Sequence, residues 1–183
     1  MNVMPPMQPW EAMHPIVVHF PIVLLLLAWV PIVIGVFDRP RRLAWMLGGL
    51  LMLVGGTGAA FVAVLSGEAT KETVGAMSQV VEHAIHEHEE MGELARTMFI
   101  VVTALFVVTL GLGAGLKKGT ARRVAVSIAG VVFLGFYVFA ATRLAWAGDM
   151  GGELVHVYGV RAKMKMSSPP AEAPSQGGAE QHD

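Results

Sequence analysis

From Ala12 to Phe37 the chain carries no Asp, Glu, Lys or Arg. Wound as a helix, that stretch is about 39 Å long, enough to cross a hydrocarbon layer of about 30 Å. Two histidines, His14 and His19, stand at its mouth among the prolines of HPIVVHFP. Pro15 fits a first helical turn, where a missing N–H costs nothing. Pro21 and Pro31 fall inside the run, and each removes a backbone hydrogen bond, so kinks are expected there.

Three further apolar runs follow, at about 43–65, 97–116 and 124–142. Charged residues make up 15% of the chain, against about a quarter in soluble domains, and they cluster between the runs. The expected fold is all-α: a polytopic membrane protein, an antiparallel four-helix transmembrane bundle with a polar helical extension on the third helix. Gly48, Gly49, Gly55, Gly56 and Gly58 would let the second helix approach a neighbour closely, and Gly111 with Gly115 forms a GxxxG pair. The segment 66–77 reads as an exposed loop. Ser78 is placed to cap the third helix, which should run without a break from 78 through the span. The division expected is a short N-terminal segment (1–12), a membrane domain (13–161) and a disordered Pro-, Ser- and Gly-rich tail (162–183).

The charges also orient the chain. Seven of the thirteen Lys and Arg lie in two loops, DRPRR (38–42) and KKGTARR (117–123). The positive-inside rule sets both loops in the cytoplasm and both termini outside. All seven histidines then fall on the outer side. No basic stretch precedes the first run, so a cleaved signal peptide is not expected. The basic residues are split between two short loops, which excludes a nucleic-acid surface. With no cysteine, disulfides, thiolate metal sites and covalent c-type haem are excluded. No glycine-rich nucleotide motif follows a strand. An electron-transfer or structural protein is expected rather than a catalyst by itself.

The helical period separates the histidines of the third helix. Ala84, His88, Met91, Ala95, Met98 and Val102 share one stripe, so His88 should face the bundle. Glu82, His83, His86, Glu89, Glu90 and Glu93 share another, which should meet water. His14 and His19 point in different directions around the first helix, one to the bundle and one to the membrane boundary. Arg143 ends the fourth run, either snorkelling or meeting an anion. Met1, Met4, Met7, Met13, Met150, Met164 and Met166 offer thioethers outside the membrane, at irregular spacing.

HPIVVHFPIVL at 14–24, HEEMGELA at 88–95 and GGELVHVYGV at 151–160 resemble, in that order and spacing, the DUF2231 family of four-helix bacterial membrane proteins. The resemblance covers about residues 12–161 and fits His14, Pro15, Pro21, His88, Gly151 and Gly152. The family's ending has Tyr before His; here His156 precedes Tyr158. The resemblance implies an electron-transfer setting, because the family is similar in size to small membrane cytochromes and its members are found beside redox domains.

Three functions are consistent with these residues. The first is a b-type haem protein, with axial imidazoles from His14 (or His19) and His88, and Arg143 meeting a propionate. Its partners would be the lipid bilayer, a quinol and a periplasmic redox protein. The second is a porphyrin-free centre for Zn, Fe or Cu on His14, His19, His88 and His156, with Glu11 or Glu153. The third is an anchor or assembly subunit without a cofactor, packing against partner helices or as a homo-oligomer.

Overall fold

The computed structural model describes residue 10, residues 13–73 and residues 77–160. The expected tail, and all but Trp10 of the first ten residues, lie outside the described residues. Among the described residues six α-helices follow in order: α1 His14–Val17, α2 His19–Leu27, α3 Trp29–Phe37, α4 Arg42–Thr73, α5 Gln79–Gly115 and α6 Thr120–His156. The first three form one membrane span, His14–Phe37. Its interruptions, at Val18 and Ala28, each fall one turn before a proline, Pro21 or Pro31. A proline ring displaces the carbonyl four residues back and cannot bond it.

The second interruption is braced from α6. The Tyr137 hydroxyl donates to the carbonyl of Leu25 at 2.6 Å and lies 3.4 Å from that of Leu26. Tyr137 also packs against Phe99 and Phe133, contacts that phenylalanine would keep. Tyr137→Phe is therefore expected to cost about 1 kcal/mol, the usual size of such a bond. Thermal denaturation in detergent checks it: an unchanged midpoint would show the bond to be idle.

With α4, α5 and α6 the first span completes four helices long and apolar enough to cross a membrane. They pack in a ring. The first span lies against α4 and α6, and α5 lies against the same two, so α1–α3 and α5 are diagonal. Leu25, Ala28, Ile32, Leu53, Phe99, Val102, Phe106, Phe133 and Ala140 fill the centre. Glycines set the spacing on one seam: a methyl group added to Gly49 would fall 2.5 Å from Ile32 Cγ1, and one on Gly56 2.6 Å from Leu25.

Some expectations need correction. Residues 66–73 are not a loop; they continue α4. Ser66 and Thr70 turn their hydroxyls back onto the carbonyls of Ala63 and Ser66, at 2.8 Å each, so polar residues keep the helix going. The fourth span also has a helical extension, since α6 continues past Arg143 to His156. Gly58, Gly111 and Gly115 have no other helix within reach of an added methyl, so the GxxxG pair packs nothing in the bundle. The helix starting at 78 is as expected: Ser78 accepts from the Val81 N–H, and α5 is unbroken.

Candidate functional site: a pair of imidazoles

The buried stripe of α5 is Ile85, Ala95, Phe99, Val102 and Phe106, with His88 half-buried on the same side. This stripe keeps Ala95 and Val102 of the expected one, but takes Ile85 in place of Ala84 and Phe99 in place of Met98. Large side chains take the centre, and the sequence period alone cannot rank Met against Phe. His14 starts α1 at the same end of the bundle. Although they sit on diagonal helices, the His14 and His88 rings lie 6.3 Å apart centre to centre, their planes 83° apart.

Each ring rests on the membrane span that follows its own in the chain. His14 lies on α4, its Nδ1 3.0 Å from both the Ala63 carbonyl and Ser66 Oγ. The Ser66 hydroxyl proton is already given to Ala63. Both neighbours of Nδ1 can then only accept, so the network assigns the proton to Nδ1 and leaves the Nε2 lone pair free. His88 lies on α6, where the carbonyl of Ala147 faces it. A methyl on Gly67 would stand 3.1 Å from His14 Cε1, and one on Gly151 3.1 Å from His88 Cε1. The two seats share one pattern, Ala-x-x-x-Gly: Ala63 to Gly67 and Ala147 to Gly151. The pair is thus built from two similar helix hairpins, each giving one imidazole and the seat beneath it. His88 differs in one respect: its Nδ1 is buried and makes no hydrogen bond of normal geometry, although the Ala147 carbonyl faces the ring.

The other candidates stand apart. His19 is exposed and bonds the carbonyl of Pro15 at 2.6 Å. His83 and His86 are exposed and face Glu87 and Glu90, each at 3.3 Å. His156 is exposed at the end of α6. Arg143 stacks on Phe139 and Trp146, at 4.8 and 5.5 Å from the ring centres. It lies about 12 Å of helix rise from Gly151, so it does not rim the pair. Both aromatic rings are exposed, as fits a cation held at a membrane boundary. Glu11 lies outside the described residues. Among those described, no third His, Asp or Glu joins the two imidazoles in a metal-binding group. Nearby, Lys71 pairs with Glu89 at 2.7 Å and ties α4 to α5. Two surface depressions, one along Val54, Thr57, Ile100 and Thr103 and one along Lys71, Gln79 and Glu82, include neither His14 nor His88.

Residues 11–164 match the family described as "Predicted membrane protein (DUF2231)". The chain belongs to the DUF2231 family. The match takes in all four spans, both histidines of the pair and both seats. No curated protein and no solved structure matches the chain. Sequence reading of this DUF2231 chain missed Ser66, Gly67 and the Ala-x-x-x-Gly seats. The available signal was the repeated spacing itself, which means little until each histidine is placed above it.

Proposed function

We propose that this integral membrane protein is an electron carrier of the bacterial inner membrane that holds a b-type haem between His14 and His88, at the outer face. The observation that carries this reading is the pair itself. Two metal–nitrogen bonds of about 2 Å, with each nitrogen roughly 1 Å from its ring centre, set ring centres about 6 Å apart. The 6.3 Å between His14 and His88 agrees with that. Haem brings its own four equatorial nitrogens, so two imidazoles suffice. When bound, it supplies a one-electron couple. The chain's residues orient and shield: Ala63 and Ser66 hold the His14 Nδ1 proton, as outer partners of ligating histidines do, and Gly67 and Gly151 clear the flanks of the rings. Electrons would come from a quinol and leave to a periplasmic redox protein.

A second reading is a bare Fe or Cu ion on the same two nitrogens. The close approach of both rings to helix backbone at Gly67 and Gly151 favours it. Zinc fits less well, because structural zinc takes four protein donors and catalytic zinc three. An optical spectrum of the purified protein, with metal analysis, is the test. A Soret band with reducible α and β bands supports haem; bound metal without colour selects the second reading; neither one removes both.

The orientation rests on the seven basic residues in the two loops opposite the histidines. A reporter fused after Asp183 is expected to work only outside the cytoplasm. Activity confined to the cytoplasm would invert the topology and put the imidazoles at the inner face.

A further inference from the structure

Two arginines stand at one level of the bundle, on neighbouring helices. Arg96 is eight residues from His88 and ten from Phe106 along α5. Arg143 is eight residues from Gly151 and ten from Phe133 along α6. His88 meets Gly151, and Phe106 meets Phe133, so the arginines are level. Each guanidinium lies over exposed aromatic rings: Arg96 is 5.1 Å from the ring centre of Phe61, and Arg143 rests on Phe139 and Trp146. At the other end of the bundle, Arg42 and Arg122 return their N–H groups to the carbonyls of Gly35, Val36 and Gly113. Among the described residues, no carboxylate or carbonyl takes the N–H groups of Arg96 or Arg143. A ring occupies the face of a guanidinium and leaves free its edge, a fork of donors that suits phosphate.

That edge lies where a membrane would end. From Arg123 to Arg143, and from Arg96 to Gly115, the helices rise about 30 Å, the thickness of a hydrocarbon layer. No Asp, Glu, Lys or Arg falls between those ends. Toward the imidazoles, by contrast, come Glu89, Glu90 and Glu93 on α5 and Asp149 on α6. His19 is exposed on the same side, about 7 Å of helix rise from His14.

We propose that Arg96 and Arg143 bind the phosphates of anionic phospholipids in the outer leaflet. The bound lipids hold the edge of the hydrocarbon about 12 Å of helix rise short of the imidazole pair. A headgroup layer is about 5–8 Å thick. His14 and His88 therefore stand above it, where a water-borne partner reaches them and a lipid-dissolved one does not. An anionic lipid fits because no protein carboxylate balances the two charges, whereas a zwitterionic headgroup carries its own ammonium. This holds whether or not the pair carries a cofactor.

Native mass spectrometry of the full-length protein, released from micelles with equal phosphatidylglycerol and phosphatidylcholine, tests the lipid. Phosphatidylglycerol should be retained in preference. Arg96→Gln and Arg143→Gln should each weaken that retention by about tenfold, the worth of a charge-assisted contact. Lys71→Gln should not, since Lys71 is already paired with Glu89. Equal retention of the two lipids, an unchanged double variant, or displacement of the lipid by excess inorganic phosphate would overturn the lipid site. The depth is tested with both arginines in place. The chain has no cysteine, so one can be added at Ile16, two residues from His14, or at Ile100, four residues inward of Arg96; both positions are exposed. In lipid nanodiscs a charged maleimide should label Ile16→Cys rapidly and leave Ile100→Cys protected. Equal labelling or equal protection of the two would show that the membrane does not end at the arginines, and would overturn the proposal.

Discussion

Replacing His88 with Leu is expected to strip the protein of bound metal or haem, while His83→Ala leaves it loaded. Both residues sit on the same stretch of α5, but His88 meets His14 across the bundle and His83 faces water beside Glu87. Loss of an outer partner alone costs about 10- to 100-fold in metal affinity, so loss of the ligand should cost at least about 100-fold. Leucine fills a similar space and suits a half-buried position, so the helix should hold. His14→Leu should do the same damage from the other side. Cofactor per protein, measured after purification, reads the result. Full occupancy in His88→Leu would sink the site. His19→Ala and His156→Ala should stay loaded, because both side chains are exposed.

Helix number, the kinks and the inward face of His88 are legible in the sequence for simple reasons. An uncharged run has few places to go but the membrane, and Pro21 and Pro31 must break the ladder wherever they lie. His88 is the one imidazole of α5 on an otherwise apolar stripe. What could not be read was which polar residues would stay helical. SGEAT looks like a loop because Ser, Gly and Thr favour turns. In the bundle, Ser66 and Thr70 satisfy their hydroxyls on their own helix, and Gly67 is covered by His14. The first two form only if the segment is already helical, and the last exists only once α1 has docked. Arg143 was ambiguous for a related reason: an arginine at the end of an apolar run can reach an anion or lie on its own helix. Phe139 and Trp146, one turn to either side, hold it on α6.

The docking of the first span also makes the bundle vulnerable at one seam. Gly56→Val is expected to be among the most damaging single changes away from the histidines. Its first added carbon would stand 2.6 Å from Leu25 Cγ and Cδ2 and 3.1 Å from Leu24 Cβ, inside van der Waals contact. Leu25 is fully buried and cannot swing into lipid. Overpacking of this kind costs about 1–3 kcal/mol, and relief requires the first span to move off α4. That movement has two further consequences. It pulls the Leu25 carbonyl from the Tyr137 hydroxyl, and it lifts His14 from Ala63 and Ser66. Gly56→Val should therefore lower the thermal midpoint and also loosen His14, seen as a second nitrogen-15 imidazole signal or weaker cofactor retention. Gly111→Ala is the control, since nothing outside its own helix lies within 4 Å of the added methyl. If Gly56→Val proves as stable as Gly111→Ala, the seam between the first span and α4 is not what sets the position of His14.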